Sequence, residues 1–131
     1  MNTNKILSRL TQTASKNVMD GPNLLRKQYD LNIKRLTIAA ALLNTFFDRV
    51  RSECLEEISL VTVGEGTIII IVNTKQDCNI DKKMKAFFEG ELKLTRAGAL
   101  GLMFYYNKTF RIKVDALSSN RLEFTLSALN T

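Results

Sequence analysis

From Asn23, just after Gly21-Pro22, to Glu57 the chain runs for about 35 residues with helical periodicity and without a single proline or glycine. At about 1.5 Å per residue such a helix is roughly 50 Å long. A compact domain of 131 residues has a radius of gyration of about 14 Å and is under about 40 Å across. A helix longer than its own domain must bend, break or pack against something else. Asn32 and Asn44-Thr45 are the positions where a break would fall.

The pattern on this helix sharpens the constraint. One apolar stripe runs through Leu25, Tyr29, Leu36, Ala40, Leu43, Phe47, Val50, Cys54 and Ile58, mostly spaced by threes and fours as an inward face requires, with a break at Asn32. A second runs through Leu24, Leu31, Ile38, Leu42 and Phe46. Two apolar faces imply two covers: the chain's own sheet on one side, and its first helix or a second copy on the other. Charge points the same way. Arg26, Lys27, Lys34 and Arg35 occupy the first third of the segment, and Asp48, Glu53, Glu56 and Glu57 the last third. A helix macrodipole prefers the reverse order. Two such helices packed antiparallel would set basic against acidic ends, the self-complementarity a two-fold dimer needs. Leu24, Leu31, Ile38, Leu42, Phe46, Arg35 and Glu53 are therefore the candidate self-association residues.

Before the long helix, residues 4–19 form an amphipathic helix with Ile6, Leu7, Leu10, Ala14 and Val18 near one face. After Ile58 the apolar period changes from 3.6 to 2. Ile58–Val63 and Thr67–Asn73 flank Gly64-Glu65-Gly66, a hairpin signal. Residues 67–72 are apolar on both faces, which suits an interior strand. A short helix over about 79–89 buries Ile80, Met84, Phe87 and Phe88 and stops at Gly90, while residues 91–97 fit either helix or strand. Strands at 99–106, 109–116 and 122–128 close the chain, with Phe110, Ile112, Val114, Leu122, Phe124 and Leu126 facing inward. Gly98 and Gly101, flanking Ala99, read as sites of close packing on the first of these strands.

The fold class expected is α+β: a short N-terminal helix and one long helix on a mainly antiparallel sheet of about five strands, in the order α-α-β-β-α-β-β-β. The chain reads as one domain, 1–131. It divides into an N-terminal helix and turn (1–22), the long helix (23–57), and a sheet with one short helix (58–131).

Histidine and tryptophan are absent, which removes His-based nucleophilic catalysis and His-ligated metals. Gly64-Glu65-Gly66 is not a dinucleotide loop, and no Walker A loop exists. Asp48, Ser52 and Glu56 share one helical face but read as a solvated surface. No catalytic residue, metal or cofactor is expected, and the protein reads as a non-enzyme. Cys54 and Cys78 lie outside any C-x-x-C spacing and read as structural thiols. With no signal-peptide pattern and no apolar run long enough for a bilayer, the expected location is cytoplasmic and no membrane contact is expected.

The net charge of +6 permits an anionic partner and is spread evenly: residues 1–57 hold 9 basic and 6 acidic groups, residues 58–131 hold 10 and 7. The densest basic group is Lys82, Lys83 and Lys85, with Lys75, Lys93 and Arg96 near in sequence. Arg111, Lys113 and Arg121 add charge to the outer strand face; Tyr105, Tyr106 and Phe110 interleave with them in sequence, and an exposed tyrosine there could stack on a base. The leading functional expectation is a homo-oligomeric, non-enzymatic binding protein (adaptor, inhibitor or assembly factor) with a further protein partner. A nucleic-acid-binding protein using Lys82, Lys83, Lys85, Arg111 and Lys113 is the alternative. A small-molecule-binding or sequestering protein with a pocket between protomers is the third.

Overall fold

A computed structural model describes residues 23–64 and 66–129, with side chains described from Lys27 on. The expected helix at 4–19 and the side chain of Leu24 lie outside the described residues. The long helix α1 (Asn23–Cys54) is one unbroken element. Its polar residues bond within the helix instead of interrupting it. Gln28 donates to Asn32 (3.0 Å), Thr37 to the carbonyl of Ile33 (2.7 Å), Asn44 to Asp48 (3.2 Å) and Thr45 to the carbonyl of Ala41 (3.0 Å).

The helix ends three residues earlier than its pattern suggests. Leu55 pairs with Thr74, so strand β1 (Leu55–Gly64) starts directly at the helix end and takes Glu56 and Glu57 with it. Sheet pairing outweighs the helical preference of Leu55, Glu56 and Glu57. Strand β2 (Thr67–Thr74) returns through a turn in which Gly66 adopts φ +72, a conformation glycine takes without steric cost. Helix α2 (Ile80–Met84) follows, with the Asn79 side chain accepting from the Lys82 amide (3.2 Å), and continues as a π-helical segment, π1 (Lys85–Glu91).

The largest departure from expectation lies at residues 95–106. One strand was expected across 99–106, but the chain reverses at Leu100-Gly101 into strands β3 (Thr95–Ala99) and β4 (Leu102–Tyr106). Both turn residues have positive φ (54 and 79), as a two-residue hairpin turn requires. Gly101 is thus a turn residue, not a packing site on a strand. Strands β5 (Phe110–Ser118) and β6 (Arg121–Ala128) complete a six-stranded antiparallel sheet of order β1-β2-β6-β5-β4-β3.

One face of this sheet carries the core. Leu36, Ala39, Ala40, Leu43, Phe47, Val50 and Cys54 of α1 face Ile68 and Ile70 of β2, Ile112 of β5, and Phe124 and Leu126 of β6, all buried. Phe47 meets Phe124 edge-on (5.3 Å between centroids). The segment α2–π1 adds Met84, Phe87 and Phe88 beside α1, and Phe88 packs between Phe46 (5.1 Å) and Tyr105 (5.0 Å). Among the described residues, neither helix covers the outer face.

Cys54 and Cys78 form a disulfide, which corrects the expectation of free thiols. The physical cause is the hairpin register. Pairing of Leu55 with Thr74 brings the end of α1 and the segment after β2 to the same end of the hairpin, where the Lys75 amide donates to the Cys54 carbonyl (2.7 Å). Four residues further along, Cys78 stands 5.1 Å from Cys54 between Cα atoms, within disulfide range.

Candidate functional site

The expected functional residues fall on three separate surfaces. On α1, Leu31 and Ile38 are 40% and 54% exposed, but Leu42 packs against the core and Phe46 is 1% exposed between Phe87 and Phe88. The second apolar stripe therefore turns inward from Leu42 onward, because π1 covers it. The charge pairing expected between copies is already partly used within the chain. Arg35 donates to the Leu129 carbonyl, Glu53 pairs with Lys83 (2.6 Å), and Asp48 pairs with Arg51. The Lys83 ammonium holds the Glu53 carboxyl below the usual carboxylate range. Glu56 and Glu57 sit on β1, so Asp48, Ser52 and Glu56 do not share a helical face; among the described residues no group of three potential ligands comes together.

The basic residues divide between the two sides of the sheet. Lys82, Lys83 and Lys85 lie on the helical side, Arg111 and Lys113 on the outer face. They cannot form one continuous patch. Of the interleaved aromatics, Phe110 is buried on the core side as its alternation with Ile112 and Val114 predicts, and Tyr105 is buried there too, contrary to expectation, because it pairs with inward-facing Ile112.

The outer face keeps Tyr106 and gains Phe104, two residues apart on β4. Opposite them on β5, Arg111 pairs with Tyr106 and Lys113 with Phe104. The guanidinium of Arg111 also lies 5.4 Å from the Phe104 ring centroid, within cation–π range. Phe104, Tyr106, Arg111, Ala97 and Leu129 line a shallow cavity of about 290 Å³. Phe104 was missed in the sequence because a strand running unbroken from Ala99 gives no reason to favour its face. The alternation of Phe104 and Tyr106 against buried Tyr105 was the available signal. One pair further along, Asp115 stands directly opposite Glu123, so the basic-aromatic character is confined to one end of the face.

No family model matches the chain, and neither a curated protein nor a solved structure is similar to it at a significant level. Among the described residues no helix is long and apolar enough to cross a membrane.

Proposed function

We propose that the protein is a non-enzymatic binding protein whose working surface is the outer sheet face and whose ligand is single-stranded nucleic acid. The observation that carries this reading is the pair of cross-strand couples, Tyr106 with Arg111 and Phe104 with Lys113, on a face that neither helix covers. Aromatic rings on an open sheet offer stacking surfaces to unpaired bases, and cations beside them track the phosphates. The net charge of +6 favours the same encounter at long range.

Fluorescence anisotropy with a labelled single-stranded oligonucleotide tests it on the full chain. Stacking is worth about 1–3 kcal/mol per base, so Phe104→Ala with Tyr106→Ala should weaken binding tenfold or more. Arg111→Glu and Lys113→Glu should each flatten the dependence of log affinity on log salt by about 0.7. Absence of binding to single-stranded DNA and RNA at low salt would falsify the proposal.

A second reading is self-association through α1, the role that led on the sequence alone. Exposed Leu31 and Ile38 favour it, since an antiparallel second copy would set Leu31 against Ile38 across a two-fold axis. Light scattering at micromolar concentration decides: a dimer that Ile38→Glu dissociates supports it. A monomeric wild type sinks it, and loss of stability on Ile38→Glu in that monomer would point to residues 4–19 as the cover. The cytoplasmic location expected from the sequence and the Cys54–Cys78 disulfide pull in opposite directions, because disulfides persist mainly in oxidising compartments.

A further inference from the structure

Across the sheet from the aromatic face, a cleft of about 870 Å³ opens between α2–π1 and the β3–β4 hairpin. That volume lies within the range of about 300–1,000 Å³ typical of small-molecule sites. Its floor is apolar, formed by Met103, Val114, Ala116 and Leu122 from three adjacent strands. Its rim on the helical side carries Lys82 and Lys85, with Asp81 just before them in sequence and Arg96 opposite.

The cations of α2, π1 and β3 around the cleft are not equivalent. Lys83 pairs with Glu53, and the Arg96 Nε stands 3.0 Å from Glu89, close but poorly aligned for a hydrogen bond. Lys82 and Lys85 have no ion pair among the described residues, and Asp81 is the acid that lines the cleft with them. The rim thus holds a surplus of positive charge above an apolar floor.

The hairpin tip adds an independent observation. Leu100 lines the same cleft, is fully exposed (101%), and sits at φ 54, where a leucine is disfavoured and glycine or asparagine is the ordinary choice. An apolar side chain held in a strained conformation and in full contact with water makes sense where a ligand covers it.

We infer that this cleft binds a small anionic amphiphile, with its carboxylate or phosphate head on Lys82 and Lys85 and its apolar tail along Met103, Val114 and Leu122 under Leu100. The position of the rim is set at the N-terminal end of α2. Asn79 caps the helix, and the disulfide at Cys78 ties the preceding residue to α1. The cleft lies within one chain, not between protomers.

Calorimetric titration of the full chain with dodecanoate, dodecyl phosphate and neutral dodecanol, each below its micelle concentration, tests the assignment. Saturable binding is expected for the two anions and markedly weaker binding for the alcohol. Lys82→Glu with Lys85→Glu should weaken the anions about tenfold or more, as loss of charge-assisted contacts does. Ala116→Phe, at an exposed position that a ring can occupy without disturbing the core, should fill the floor and reduce affinity about as much. Leu100→Asn should cost roughly threefold to tenfold through lost apolar contact. Flotation with phosphatidylglycerol vesicles separates the sources of the anionic head. Vesicle association lost on the double lysine change assigns a membrane lipid, and binding of the free probes alone assigns a soluble ligand. The inference is overturned if neither anion binds the wild type, if dodecanol binds as tightly as dodecanoate, or if all three variants, folded by circular dichroism, bind as the wild type does.

Discussion

Removing the Cys54–Cys78 disulfide should lower stability by an amount that the hairpin it closes determines. The two cysteines are 24 residues apart in sequence, and the chain-entropy relation for a loop of that size gives about 3.5 kcal/mol. For a chain of 131 residues, with an unfolding entropy of about 2.1 cal/mol/K per residue, that corresponds to a fall in melting temperature of about 13 °C. The double variant Cys54→Ala with Cys78→Ala is the right perturbation, because a single change leaves an unpaired thiol; Cys54 is fully buried. The native backbone contacts at this junction remain in the variant. The Lys75 amide still reaches the Cys54 carbonyl, and the Lys75 ammonium still donates to the Ser52 carbonyl (2.7 Å). The fold should therefore survive, with an unchanged far-ultraviolet spectrum and a lower denaturant midpoint. Thiol counting by mass spectrometry on the purified wild type establishes that the bond is present. A fully oxidised wild type that is no more than about 1 kcal/mol more stable than the double variant would refute the entropic reasoning. A wild type with two alkylatable thiols under non-reducing conditions would refute the bond itself.

Phe46→Ala, at a position expected from the sequence to face a second copy, should instead destabilise the isolated chain by about 3–5 kcal/mol in urea unfolding, because its ring packs on Phe87 and Phe88. Leu100→Asn should raise stability by about 1 kcal/mol, since asparagine tolerates the left-handed conformation that costs leucine about that much; an unchanged or lower midpoint would contradict the strain argument. Tyr105 should ionise above the usual tyrosine range, chiefly through burial, with Asp81 and Glu89 adding to the shift and Arg96 opposing it. Its folded-state value is raised, so its contribution is fully present below the unfolded tyrosine value and is lost as pH climbs through the folded one. Alkaline absorbance titration should show a late-ionising component that Tyr105→Phe removes.

Local periodicity was enough for most of the elements. The spacing of Leu36, Ala40, Leu43, Phe47 and Val50 marks the inner face of α1, and the alternation of Phe110, Ile112 and Val114 marks that of β5; all of these residues are buried. The hairpin at Gly64–Gly66 and the buried set of Ile80, Met84, Phe87 and Phe88 follow from turn chemistry and helical spacing in the same way. The β3–β4 reversal was harder. A leucine at the first turn position hides a signal that asparagine would have made plain, so two strands read as one. The disulfide was nearer to legible than it looked. Extending the expected pairing of residues 58–63 with 67–73 back to residue 54 leads to the neighbourhood of residue 78.

What sequence alone could determine was which residues avoid water and with what period, because that depends on each side chain and its near neighbours. It established the α+β class, the long helix, the net charge and the absence of histidine chemistry. Which apolar stripe is left uncovered depends instead on contacts between segments far apart in the chain. Phe46 is core only because π1 folds over it, and Leu31 and Ile38 are surface because nothing among the described residues does. The same holds for charge. Lys82 and Lys83 are neighbours in sequence, yet tertiary packing hands one to Glu53 and leaves the other at the mouth of a cleft, while Arg111 and Lys113 end on the opposite side of the sheet. The long helix constrained the fold from the start, but the sheet decided which part of it is core and which part faces water.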